Sequence, residues 1–197
     1  MGCVIRGRAP VTSLSYTETG EHLFIASEND SVLRIVDCLK GGSPIDRPPM
    51  IKLQREGIRQ VQSTHHSHCV LFSPGTAIGN VPNNTYYLSI HDNKIIRKFE
   101  GHSGMINGIS MSPVDDTFLT SCVDGTVKLW DCGKSGNPLG ELALPENVEP
   151  GVPPLAAFDQ TGLVFGVTAA MAGGEGYVSN YKFEIRQQVN LMYSDSQ

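Results

Sequence analysis

The chain has 197 residues, enough for one full domain and short for two. It is 40% hydrophobic with 21 glycines and 12 prolines, which argues against disorder and against a helical bundle, because Gly and Pro break long elements. Lys and Arg number 15 against 20 acidic residues, a net charge of −5, and no basic stripe is present, so direct nucleic-acid binding is not expected.

The first β-prone unit, VTSLSYTETGEHLFIASENDSVLRIVD (11–37), turns at Glu18-Thr19-Gly20 and at Asn29-Asp30 and closes on Val36-Asp37. A connector rich in Gly and Pro follows, from Gly41-Gly42-Ser43-Pro44 to Pro48-Pro49. The second unit (58–92) turns at Asn83-Asn84 and closes on His91-Asp92. The third, GHSGMINGISMSPVDDTFLTSCVDGTVKLWD (101–131), holds three short runs, ISMS (109–112), TFLTSC (117–122) and TVKLW (126–130). Turns at Asp115-Asp116 and Asp124-Gly125 separate them, the pattern of an antiparallel meander. After connectors at Gly133 to Pro138 and Pro145 to Pro154, the fourth unit (154–182) turns at Asp159-Gln160-Thr161-Gly162 and at Gly173 to Gly176. Tyr181-Lys182 closes it. Residues 186–197 are read as a polar tail.

The closing residues at 37, 92, 131 and 182 define a repeat near forty residues with insertions. Gly-His, an Asp-Gly turn and Trp-Asp at that period are the signature of WD-repeat β-propellers. The fold class is therefore all-β, with a propeller region over 1–185 whose units lie near 11–38, 58–94, 101–132 and 154–185. A buried indole N–H needs a partner, as do the polar groups of the tight turn beside it. In such blades Trp130, Thr120, His102 and Asp124 would form one hydrogen-bonded chain. Only the third unit carries all four types, so the other units would be held by packing.

YYLSIHDNKIIRKFEGH (86–102) followed by ISMSPVDDTFLTSCVDGTVKLWD (109–131) resembles the WD-repeat subunit of the SET-domain histone methyltransferase complex, COMPASS. Leu88 to Lys94 and Ser110 to Asp116 carry the closest likeness, and a weaker one runs from about Val11 through Phe183. The resemblance implies a nuclear, non-catalytic scaffold that supports methylation of histone H3 on its fourth lysine. It implies as partners the SET-domain methyltransferase and the other complex subunits. It also allows a protein phosphatase 1 assembly, the mRNA cleavage and polyadenylation machinery, and proximity to the phosphorylated tail of RNA polymerase II. The family propeller has seven blades where four units are legible here, so the chain is read as an incomplete or open arc.

Other residue clusters are read conservatively. His65, His66 and His68, beside Cys69, suggest a Zn²⁺ or Cu²⁺ site. In a strand, however, His65 would face away from the other two and no carboxylate follows, so a solvated run is expected and no metal. Asp115-Asp116 is expected to close a turn rather than act as an acid–base pair. His91-Asp92 is read as the Trp-Asp slot rather than a base and its orienter. Gly173-Gly174-Glu175-Gly176 lacks the Lys-Ser/Thr of a phosphate loop and is read as an enlarged turn. Arg55, Arg59, Lys94, Arg97 and Lys98 are read as a solvated rim, with a phosphopeptide contact as the sharper alternative. The five cysteines (3, 38, 69, 122 and 132) form no Cys-x-x-C, which points to a reducing compartment. No apolar stretch is long enough for a membrane helix, and neither catalytic residues nor a cofactor are expected.

Overall fold

The computed structural model describes residues 9–27, 32–39, 43–44, 57–75, 83–134, 136–144, 152–170, 176–182 and 193–194. The Asn29-Asp30 turn, Arg55, most of the Pro-rich connectors, Gly173-Gly174-Glu175 and most of the 186–197 tail lie outside them. The described chain folds into four sheets, each an antiparallel meander of four strands in sequence order. They are β1 (Val11–Tyr16), β2 (His22–Ser27), β3 (Arg34–Asp37) and β4 (Ser43–Pro44), then β5 (Ile58–Ser63), β6 (Cys69–Pro74), β7 (Thr85–Ser89) and β8 (Lys94–Phe99). The third sheet has β9 (Ile106–Met111), β10 (Thr117–Cys122), β11 (Thr126–Asp131) and β12 (Gly140–Ala143). The fourth has β13 (Leu155–Phe158), β14 (Val164–Ala170), β15 (Gly176–Lys182) and β16 (Tyr193–Ser194). Repeated four-stranded antiparallel meanders are the pattern of propeller blades, and the described chain is all-β.

The sheets group into two compact units, residues 1–100 and 101–197, each with two sheets. In the first unit Phe24, Ala26 and Ile35 of the first sheet pack against Val70, Phe72, Tyr86 and Leu88 of the second. In the second, Leu119, Val127 and Leu129 of the third sheet pack against Phe165 and Val167 of the fourth. The second strand of each sheet is paired on both sides, and in the second and third sheets it is buried almost throughout. Its sequence is correspondingly continuous rather than alternating: all six residues of CVLFSP in β6 are buried, and five of six in TFLTSC of β10.

The inner strands are joined within each unit by polar side chains at one sequence offset. Thr12 Oγ1 donates to the Arg59 carbonyl at 2.7 Å, and Ser63 N donates to Ser15 Oγ at 2.8 Å, 47 and 48 residues away. In the second unit Asn107 Nδ2 donates to the Pro154 carbonyl at 2.6 Å and Phe158 N to Ser110 Oγ at 3.3 Å, again 47 and 48 residues apart. The small polar residues that make β1 and β9 look weakly apolar in sequence are thus the ties between neighbouring inner strands, since a buried backbone group needs such a partner.

Cross-strand pairing sets which residues close each unit. Asp131 pairs with Thr117 and Asp37 with His22, and the next backbone N–H bonds Cys132 to Asp116 O and Cys38 to Glu21 O. In the second sheet the same positions are Ser89 opposite Cys69 and Ile90 N bonded to His68 O. The closing pair there is Leu88-Ser89, which corrects the reading of His91-Asp92 in that slot by three residues. His91 and Asp92 instead occupy the turn between β7 and β8, with Asn93 at φ 56°, a left-handed conformation that Asn tolerates better than most residues. Lys182 pairs with Val164 and Tyr181 with Phe165, so Tyr181-Lys182 does hold the Trp-Asp register.

The three-strand units of the sequence each gain a fourth, outer strand. Three of these are β4, β8 and β12, and the fourth, β16, falls within the segment read as a tail. β9 also starts at Ile106 rather than at Ile109. Gly108 lies where the β9–β10 register is irregular, and a Cβ there would fall 2.5 Å from Ser121 Oγ, so the close approach needs glycine.

Candidate functional site

The densest polar cluster sits on one face of the third sheet. Alternation along β10 sends Leu119 to the packed face and Phe118 and Thr120 to the other, where Trp130 and Lys128 of β11 stand opposite them. Trp130 is 1% exposed, its ring stacked on Phe118 with centroids 6.4 Å apart and its edge toward His102. Its Nε1–H donates to Thr120 Oγ1 at 2.8 Å, and Thr120 Oγ1 lies 2.6 Å from His102 Nε2.

Donor logic then fixes the protons. An indole only donates, so Thr120 accepts from Trp130 and gives its own proton to His102 Nε2. His102 therefore carries its proton on Nδ1, 3.1 Å from Thr126 Oγ1, and Thr126 Oγ1 donates to Asp124 Oδ1 at 2.6 Å. The four residues singled out in the sequence are brought together, with Thr126 inserted between His102 and Asp124, whose direct separation is 3.5 Å. The second Asp124 oxygen accepts from Ser103 N at 2.9 Å and Ser103 Oγ at 3.1 Å. Gly125, at φ +79°, makes the tight turn that aims the Asp124 carboxylate inward. Thr126 and Ser103 were not read from the sequence. The signal was present in Asp-Gly-Thr, where an Asp accepts from the residue two positions on.

Ionisation follows from these contacts. Burial pushes the His102 pKa down, against the pull of Asp124, so the ring is neutral as the proton order requires. Burial opposes charge on Asp124, but hydrogen bonds from Thr126 and Ser103 outweigh it and hold the carboxyl well below its ordinary range. Both folded-state values are depressed, so both groups lose stability as pH falls. The His102 contribution is complete above the unfolded histidine value of about 6.5, and the Asp124 contribution above about 3.9. Urea midpoints are therefore expected to fall first as pH drops through 6.5 and again through 3.9. The first decline should be smaller in His102→Gln.

His102, Cys122 and Asp124 offer ligand atoms within 4.8 Å of one another. The ligand atoms of His102 and Asp124 are already taken up by Thr120, Thr126 and Ser103, and burial pushes the Cys122 thiol up to about 12. The cluster is thus a brace. Lys128, buried on β11, has its charge met by Glu141 of β12 at 2.6 Å.

Residues 93–131 match the family described as WD domain, G-beta repeat. The chain carries a WD40 repeat. That repeat begins in the β7–β8 turn and takes in β8 and β9–β11, so the sequence repeat is offset by one strand from the sheets. An uncharacterized WD repeat-containing protein of Schizosaccharomyces pombe is 36% identical over 157 residues, 80% of this chain and 42% of the relative. The Set1 complex component swd2 of the same organism is 35% identical over 155 residues, 79% of this chain and 39% of the relative. The COMPASS component SWD2 of Saccharomyces cerevisiae is 30% identical over 157 residues, 79% of this chain and 43% of the relative. This WD-repeat chain spans less than half the length of these relatives.

The remaining sequence candidates separate. Asp115 Oδ1 accepts from Thr117 N at 3.1 Å and Thr117 Oγ1 at 2.6 Å, closing its turn. Lys94, Arg97 and Lys98 lie on β8 and Arg59 on β5, the two edges of one sheet, so these cations are not gathered; Arg55 lies outside the described residues. His65, His66 and His68 lie in the β5–β6 turn and not in a strand. His65 Nδ1 faces Glu18 Oε2 at 3.4 Å, while His66 and His68 lie toward His91.

Proposed function

We propose that this chain is a WD-repeat subunit of a Set1/COMPASS-type histone H3 lysine-4 methyltransferase complex. In this reading it acts in the nucleus as a non-catalytic scaffold. The observation that carries the reading is the similarity, at 30–35% identity over 79% of the chain, to two proteins whose names place them in that complex. The chemistry of the polar cluster supports a scaffold: Trp130, Thr120 and His102 are linked through Thr126 to Asp124 inside one sheet, so their polarity holds strands in place. The partners under this proposal are the SET-domain methyltransferase and its companion subunits.

Affinity purification of the tagged chain from nuclear extract is expected to recover the SET-domain subunit. Recovery of protein phosphatase 1 or of the cleavage and polyadenylation machinery without it would assign the chain to a different assembly. Recovery of none of the methyltransferase complex would overturn the proposal.

A further inference from the structure

The second sheet ends on β8, and among the described residues no strand lies beyond it. A sheet edge presents backbone N–H and C=O groups to any extended chain, and proteins blunt such edges by keeping them short. β4, β12 and β16 follow that rule at two, four and two residues, whereas β8 has six. Ile95 and Ile96 on it are 47% and 49% exposed. Consecutive strand residues normally face opposite sides. Here the β7–β8 register breaks: Leu88 pairs with Ile95 and Tyr87 with Arg97, so Ile96 is the extra residue of a bulge. The bulge lets both isoleucines line one depression of about 500 Å³, together with Lys94, His66, His68 and His91.

We infer that the β8 edge and its depression receive an extended, acidic peptide segment of a partner protein, with an aliphatic side chain seated against Ile95 and Ile96. Charge selects this occupant. KIIRKF carries three cations in six residues and no carboxylate, in a chain of net charge −5. The flanking carboxylates are met, Asp92 by His91 at 2.9 Å and Glu100 by Lys98. A second copy is the wrong occupant. Antiparallel pairing of β8 on itself about Ile96 sets Lys94 opposite Lys98, and like charges directly opposite destabilise a ladder. A strand with Glu or Asp opposite the cations and Val or Ile opposite the isoleucines gains ladder and ion pairs together. Main-chain bonds then supply affinity, and the depression selects the side chain.

The probe is the amidated peptide Thr-Glu-Glu-Val-Val-Glu, fluorescently labelled at its N-terminus and titrated with the purified chain by anisotropy. A Kd below about 1 mM is expected, weakening as NaCl rises because exposed charges are screened. Ile95→Ser combined with Ile96→Ser should weaken binding at least about tenfold. Lys94→Glu combined with Lys98→Glu should abolish it and admit the counterpart Thr-Lys-Lys-Val-Val-Lys. These side chains are exposed, so urea midpoints of the variants should stay near that of the parent chain, which separates lost binding from lost folding. Backbone amides of 94–99 should gain exchange protection on binding, the signature of an added strand. Leu163→Ser, at an exposed residue of the other unit, should leave binding unchanged. Each of four results would overturn the inference: no binding up to about 1 mM, equal binding of the lysine peptide by the parent chain, binding that survives loss of both isoleucines, or no gain of protection in β8. A dimer held through β8 would overturn it as well.

Discussion

Trp130→Ala is expected to lower the unfolding free energy by about 3–5 kcal/mol, because it empties a fully buried aromatic site and breaks a hydrogen-bonded chain at its first donor. The two contributions can be separated. Trp130→Phe keeps most of the apolar contact with Phe118 but removes the Nε1–H, leaving Thr120 Oγ1 with His102 alone. That variant should lose about 1–2 kcal/mol. Thr120→Val preserves shape and strands both the indole N–H and His102 Nε2 in a buried setting. It should cost about 2–4 kcal/mol, more than Trp130→Phe, because two groups are left unpaired instead of one. Urea unfolding gives the magnitudes, and hydrogen exchange gives the location: amides of β9–β12 should lose protection first. If Thr120→Val were milder than Trp130→Phe, the chain of donors described here would not hold the blade.

The same comparison explains what the amino-acid sequence revealed of the fold. The third sheet is legible because its polar cluster demands particular side chains at particular spacings: an Asp-Gly turn, a Thr on the central strand, and Trp before Asp. In the second sheet the corresponding ladder positions hold Leu88 and Phe72, and in the fourth Val167 stands where Thr120 does, residues that any apolar packing would accept. There the register rests on burial, and a His-Asp pair in the neighbouring turn is enough to mislead by three residues. Outer strands were hidden for a different reason. β8 reads KIIRKF with four of its six residues exposed, so burial imposes neither alternation nor an apolar run on it.

If blades without the polar cluster are held by packing, a core substitution in the second sheet should match the cost of losing Trp130. Phe72 occupies the ladder position that Thr120 holds in the third sheet, is fully buried, and stacks on Tyr86 with ring centroids 5.1 Å apart. It also meets the Phe24, Ala26 and Ile35 face of the first sheet within the same unit. Phe72→Ala is therefore expected to cost about 3–5 kcal/mol, combining lost transfer energy with a cavity that rigid strands on both sides fill poorly. Phe72→Leu, which retains most of the volume, should cost about 1–2 kcal/mol. Phe72→Thr reproduces the residue type of the third sheet but brings neither a Trp nor a His to bond it. It should be at least as damaging as alanine, since an unpaired hydroxyl is added to the cavity. Exchange measured on these variants should show β5–β7 losing protection, where Trp130→Ala affects β9–β12. A Phe72→Thr chain as stable as Phe72→Leu would mean that this blade tolerates a polar brace it does not possess, and that packing is not what holds it.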